Sequence, residues 1–237
     1  MAVLAMASEL GFDAINARLV ADPSLEHHIT EVTLLGPETD GPRYSLELWW
    51  LMTLGVLGPL VVDEAYGDFS ESNCLDLVEK SDRIIVTRSM SKSYALAGIR
   101  FGFAVAQPAV IEQLAKVKDS YNCDAIAIAA ATAAIADQGW LRKNQSSIRA
   151  TRARLVTQLR QFGFSVVDSQ ANFVWCTHSE SSHKAIYESL RKRSILIRFM
   201  VYSGWGDGLR ITVGTDAEID VLLGAIESIM QEENSKE

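Results

Sequence analysis

The sequence predicts an α/β protein with a smaller α+β unit at its C-terminal end. Three observations carry that expectation. Leu60-Val61-Val62 is a short, fully apolar strand, of the kind buried on both faces of a parallel sheet. Residues 73–80 read as a short helix and residues 83–87 as a second β-rich strand, and strand, helix, strand is the crossover unit of parallel sheets. Past a long polar helix at 140–162, short strands and helices follow one another in an α+β pattern.

Composition limits the function classes. The chain has 237 residues, 48% hydrophobic and 22% charged, enough for a substantial core in one large or two smaller domains. A net charge of −8 argues against nucleic acid as the main partner, and no basic run points to a membrane surface. The three cysteines, Cys74, Cys123 and Cys176, are scattered, so they read as reduced thiols in a cytoplasmic protein. The four histidines form no metal-binding pattern, and no metal is expected.

Residues 1–43 carry the weakest signals. The start, Met1 to Ser8, has a faint Ala-x-Ala look but no basic opening, and its apolar run is too short for a signal peptide. Residues 8–20 read as a helix, 30–35 as a short strand and 36–42 as a loop. Residues 44–56 read as a helix stopped by Gly58-Pro59. The longest uncharged run, 48–62, is shorter than a spanning helix needs and is broken by Gly55, Gly58 and Pro59.

After the crossover unit comes a strand at 101–106, then a helix at 108–118 with Pro108 in its first turn. Asp124 caps an alanine-rich helix running to 137. The helix at 140–162 carries Arg149, Arg152, Arg154 and Arg160 and reads as a solvated link between two domains. Placing the boundary inside it divides the chain into an atypical segment 1–58, a large-domain portion 59–148 and a small domain 149–237. In the small domain, strands are expected at 165–167, 172–176, 195–198 and 209–213, with a helix at 182–192. A last, amphipathic helix at 217–230 has Ile219, Leu222, Leu223, Ile226 and Ile229 as its apolar face.

The chemistry gathers at two strand ends. The first strand runs into Asp63-Glu64-Ala65-Tyr66, and the second runs into Ser89-Met90-Ser91-Lys92. Parallel strands place both ends on one edge of the sheet, where ligands of α/β folds sit. A lysine serves as a nucleophile when its amine is neutral near pH 7. Hydroxyls with Arg100 eight positions on suit a phosphate. A lysine beside a phosphate site points to a Schiff base with a phosphorylated aldehyde. Taken alone, the stretch also reads as a surface turn. Ser89-Met90-Ser91-Lys92 further fits Ser-x-x-Lys of penicillin-binding proteins, but that family's Ser-Asp-Asn and Lys-Thr-Gly are missing from the sequence.

Asp63-Glu64-Ala65-Tyr66, the stretch from Ser91 to Gly102, Ala171-Asn172-Phe173-Val174 and the stretch from Leu209 to Thr215 together resemble the fold-type-I pyridoxal-phosphate aminotransferases of class I/II. Within them the sequence looks most like the histidinol-phosphate aminotransferases. The resemblance implies a three-layer α/β fold with an incomplete large domain, pyridoxal 5'-phosphate as cofactor, and a homodimer. It implies amino transfer between histidinol phosphate and 2-oxoglutarate. It assigns Lys92 as the Schiff-base lysine, Asp63 to the pyridine nitrogen and Tyr66 to the phenolic oxygen. Ser89, Ser91 and Arg100 fall to the phosphate, Arg210 to the donor carboxylate and Arg198 to the substrate phosphate. A decarboxylase of a phosphorylated amino acid shares these cofactor residues and is the alternative. Residues 1–58 show no counterpart of the family's small-residue phosphate loop, ring-stacking aromatic or Asn-Pro-x-x-Pro-Thr-Gly segment. A truncated, catalytically impaired remnant is therefore the third reading.

Overall fold

The computed structural model describes residues 2–7, 59–202 and 206–234. The elements expected at 8–20, 30–35, 36–42 and 44–56 lie outside them. Two compact units emerge, Met1–Gln138 and Gly139–Glu237.

The first unit is built on strands β1 (Ala2–Ala7), β2 (Leu60–Asp63), β3 (Ile84–Ser89) and β4 (Phe101–Ala106), in the sheet order β1-β4-β3-β2. β2 and β3 are parallel, with Leu60 opposite Ile84 and Asp63 opposite Thr87. Helix α1 (Leu75–Lys80) makes the connection between them. The expected crossover unit is therefore present, but the sheet around it is mixed, because β4 runs antiparallel to both β3 and β1. β1 is not among the sequence expectations. Ala-Val-Leu-Ala-Met-Ala has one β-branched residue and no alternation, and its pairing from Ala2↔Ala106 to Ala7↔Phe101 comes from a partner almost a hundred positions away.

Leu77 and Val78 of α1 pack with Leu60, Ile84, Val86 and Val105 of the sheet. Helices α2 (Pro108–Val117) and α3 (Ala125–Ala136) follow. Asp124 caps α3 as expected, its side chain accepting the Ala127 N–H at 2.8 Å. Ala127 and Ala131 of α3 pack with Met90 and Phe101 in a second apolar cluster.

Helix α4 (Gln138–Gln161) opens at the division between the units. In the second unit, β5 (Ser165–Val166), β6 (Phe173–Thr177), β7 (Arg198–Tyr202) and β8 (Gly206–Thr212) form an antiparallel sheet in the order β5-β6-β8-β7. Helices α5 (His183–Lys192) and α6 (Asp216–Asn234) complete it. Val174, Cys176, Leu209 and Ile211 of the sheet share a core with Leu155 and Leu159 of α4, Ile186 and Leu190 of α5, and the predicted apolar face of α6. At the start of α6 the Thr215 N–H donates to Glu218 Oε2 at 2.7 Å and the Glu218 N–H donates to Thr215 Oγ1 at 3.3 Å, a reciprocal capping box.

One strand differs from expectation. The apolar residues at 195–198 suggest a strand, whereas β7 begins at Arg198. Helix α5 ends with Ser194 in the left-handed region (φ 61°) and the Ile195 N–H returning to the Leu190 carbonyl at 2.9 Å. Ile195 and Ile197 spend their apolar side chains on the core as the chain leaves that cap. No helix of the described residues is long and apolar enough to cross a membrane.

Candidate active site

In the first unit the two parallel strands deliver their ends side by side. Asp63 closes β2 level with Thr87, and its Oδ1 accepts the Ala65 N–H at 2.9 Å and faces the Thr87 hydroxyl at 3.5 Å. The chain then turns through Tyr66 into one 3-10 turn, Gly67–Phe69, anchored by the fully buried Phe69. From β3 the chain passes Ser89, whose Oγ accepts the Ser91 N–H at 3.1 Å, and reaches Lys92. Lys92 Nζ stands 5.4 Å from the centroid of the Tyr66 ring. Asp63 is exposed, while Tyr66, Ser89, Ser91 and Lys92 are half-buried.

The lysine loop is tied down from below. Met90 is fully buried; its N–H donates to the Phe101 carbonyl at 3.1 Å and its carbonyl accepts the Leu96 N–H at 3.0 Å. The loop holds two non-glycine residues in the left-handed region, Ala95 (φ 56°) and Arg100 (φ 57°). Such residues cost about 1–3 kcal/mol each and persist where the surroundings over-determine them, often at functional sites. Arg100 is exposed, and its Nη1 donates to the Ala97 carbonyl at 3.0 Å. Burial pushes the Tyr94 phenol above its ordinary value; a hydrogen bond with Gln138 opposes this, Asp68 adds to it and Arg88 counters it.

Beneath the loop lies a charge cluster whose partners are far apart in sequence. Arg88 Nε donates to Glu64 Oε2 at 2.9 Å, Nη2 is 2.6 Å from the same oxygen, and Nη1 meets Asp68 Oδ1 at 2.5 Å. The Ser93 hydroxyl donates to Asp68 Oδ2 at 2.5 Å, and the Cys74 N–H donates to Glu64 Oε1. The available signal was Arg88 itself: an arginine that follows the apolar residues Ile84, Ile85 and Val86 in one strand needs an opposite charge where it is buried.

In the second unit, Arg198 and Arg210 are directly opposite each other on β7 and β8. Val174, Cys176, Leu209 and Ile211 point into the core, so alternation puts Phe173, Trp175, Arg210 and Arg198 on the other face. There the Arg210 guanidinium lies 4.0 Å from the centroid of the Phe173 ring, and Trp175 meets Tyr202 edge-on at 5.6 Å. Like charges directly opposite across a strand pair are unfavourable. A bound anion would reverse that sign, and guanidinium forks suit carboxylate and phosphate.

The donor chemistry of the first unit fits a phosphorylated aromatic aldehyde. An amine stands over a phenol ring, a carboxylate ends the adjacent parallel strand, and two hydroxyls precede the amine. Among the described residues no group of three or more histidines, cysteines or acids could hold a metal ion.

The sequence model of the family "Aminotransferase class I and II" matches residues 57–226. The histidinol-phosphate aminotransferase of Rhodopirellula baltica is 58% identical over 176 residues, covering 74% of this chain and 49% of that protein. The histidinol-phosphate aminotransferase of Microcystis aeruginosa is 46% identical over 173 residues, covering 73% of this chain and 50% of that protein. The chain thus spans about half the length of the curated relatives it matches. Among solved structures, the histidinol-phosphate aminotransferase of Sinorhizobium meliloti in complex with pyridoxal-5'-phosphate is similar with a TM-score of 0.68 at 27% identity, over 77% of this chain and 53% of that one. The fold-type-I α/β class expected from the sequence is the class of these neighbours, and with the family match extending over most of its length, the chain belongs to the class I and II aminotransferases.

Proposed function

We propose that this chain carries the lysine half of a pyridoxal-phosphate-dependent histidinol-phosphate aminotransferase, transferring an amino group between histidinol phosphate and 2-oxoglutarate. The observation that carries the reading is Lys92 Nζ over the Tyr66 ring, at the ends of two parallel strands, in a family member whose curated relatives bear that name. Lys92 would hold the cofactor covalently. Asp63 would hold a proton on its ring nitrogen, and Tyr66 would donate to its phenolic oxygen. Ser89, Ser91 and Arg100 would bind its phosphate. When bound, the cofactor supplies an electron sink for the carbanion formed as the substrate loses its α-proton. Lys92, released from the cofactor, is the group that would take and return that proton. Arg210, stacked on Phe173, would orient the donor carboxylate, and Arg198 would receive the substrate phosphate.

The reading divides the chain into a cofactor-binding portion, 59–148, and a small substrate-binding domain, 149–237. It also includes a homodimer acting in the cytoplasm. None of the three cysteines is in a disulfide, which supports a reducing compartment.

The test is a titration of the purified chain with pyridoxal 5'-phosphate, followed by borohydride reduction and peptide mapping. The expected result is a yellow adduct reduced onto Lys92, absent in Lys92→Ala and bleached by glutamate. An adduct spread over surface lysines, or colour that survives Lys92→Ala, would sink the assignment. Carbon dioxide released without need of an amino acceptor would favour the decarboxylase reading instead.

A further inference from the structure

The cluster of buried charges beneath the lysine loop is the feature that the reading above does not use. Burying ions is costly unless each is paired and hydrogen-bonded, and here every carboxylate oxygen has its own donor. Glu64 Oε1 takes the Cys74 N–H, and Glu64 Oε2 takes Arg88 Nε and is in ion-pair contact with Nη2 at 2.6 Å. Asp68 Oδ1 takes Arg88 Nη1, and Asp68 Oδ2 takes the Ser93 hydroxyl. The group is sealed: the Arg88, Glu64 and Asp68 side chains are 8%, 9% and 16% exposed, and Ser93 is 1% exposed.

The connectivity follows the reacting groups. Glu64 adjoins Asp63 and lies two residues before Tyr66. Asp68 lies two residues after Tyr66, and Ser93 adjoins Lys92. The guanidinium of Arg88 thus grips the Tyr66 turn on both sides, and Asp68 passes that grip to the residue beside the lysine. Gly67 makes the packing possible, since a Cβ there would meet Glu64 Cβ at 2.9 Å and Oε2 at 3.0 Å.

We propose that Glu64, Arg88, Asp68 and Ser93 form a positioning clamp that holds Lys92 Nζ against Tyr66, so that the amine meets a phosphorylated aldehyde already oriented. This rests on the pyridoxal-phosphate reading of Lys92. In the step it serves, the neutral amine bonds to the aldehyde carbon, and the carbonyl oxygen leaves as water with the two amine protons. Ser93 is a positioning residue and touches no reactant.

The test compares the native chain with Ser93→Ala, which removes only the hydroxyl that couples Asp68 to the lysine loop, and with the near-isosteric Ser93→Cys. Two ligands are used. Pyridoxal 5'-phosphate reports adduct formation, trapped by borohydride as a C–N bond on Lys92. Pyridoxine 5'-phosphate lacks the aldehyde and reports binding alone. A clamp predicts adduct formation about tenfold slower in Ser93→Ala, the size expected for losing one hydrogen bond to a charged group. It predicts a smaller loss in Ser93→Cys, with pyridoxine 5'-phosphate affinity unchanged in both. Equal losses with both ligands would mean general damage to the pocket and overturn the proposal. So would unchanged adduct formation in a folded Ser93→Ala. If Ser93→Ala does not fold, Ser93→Cys decides by the same split. A native chain that forms no reducible adduct on Lys92 removes the cofactor reading itself, and the clamp with it.

Discussion

Arg198 stands directly opposite Arg210 on the antiparallel strands β7 and β8, on the face of the sheet turned away from the core. Like charges directly opposite each other across a strand pair are destabilising. Arg198→Gln should therefore leave the protein as stable or slightly more stable at low salt, with the gain fading as salt screens the pair. The same substitution should remove any rise in unfolding temperature that inorganic phosphate gives beyond chloride of equal ionic strength. Thermal melts of both proteins in the two salts make the comparison. A phosphate effect retained in the variant would count against an anion site at this pair.

Arg88 is the counter-ion of two carboxylates inside the first unit. Arg88→Met would leave Glu64 and Asp68 buried without it, and breaking a buried pair from one side costs about 3–5 kcal/mol. Replacing all three together, as Arg88→Met with Glu64→Gln and Asp68→Asn, should recover most of that loss, since no charge is then stranded. Urea unfolding of the single and triple variants gives both numbers. A triple variant as unstable as the single one would show that packing, and not charge, dominates here.

What the sequence made legible was the local part of this molecule. Leu60-Val61-Val62 and residues 83–87 read as strands because they are short, apolar and bounded by breakers, and their parallel pairing followed from the helix between them. That was enough to bring Asp63, Tyr66 and Lys92 to one sheet edge. The clamp was not legible, because its order in sequence, Glu64, Asp68, Arg88, Ser93, says nothing about which side chains turn inward. β1 was hidden for a related reason. Its strand character lies in a ladder with Phe101–Ala106 and not in its own alanine-rich sequence. The shift of β7 came from a helix cap that drew Ile195 and Ile197 into the core. Thr215-Asp216-Ala217-Glu218 did carry a capping-box signature, and it sets where α6 starts.

Asp216 joins α6 to α4 in the second unit. Its Oδ1 accepts the Thr151 hydroxyl at 2.9 Å and Arg154 Nη2 at 3.2 Å. The Thr151 hydrogen bond first, and then Arg154, holds its carboxyl below the usual value. Glu218 is held down likewise, by the backbone N–H and then the hydroxyl of Thr215. A carboxyl whose folded pKa is depressed contributes stability that is complete above its unfolded pKa. That contribution is lost as pH falls through the folded value. The unfolding midpoint should therefore drop on acidification through and below the ordinary carboxylate range, and the drop should be shallower in Asp216→Asn. A pH series of urea midpoints for the two proteins checks this. Parallel curves would mean that the Thr151 and Arg154 contacts do not favour the charged form.

Cys176 lies on β6, fully buried among Leu209, Ile211 and Val174, and burial pushes its thiol up to about 12. The thiolate is the reactive form. At neutral pH the native protein should therefore leave Cys176 unmodified by iodoacetamide, while the half-buried Cys74 and Cys123 are labelled first. Labelling of Cys176 then requires opening of the second unit, because its sulfur sits between the sheet and the helices that cover it. Its rate should track unfolding of that unit as urea is raised, independently of any loosening of the first unit. Mass spectrometry of tryptic peptides after timed alkylation follows all three thiols in one sample. Early labelling of Cys176 in the absence of urea would contradict the packing of the small-unit core.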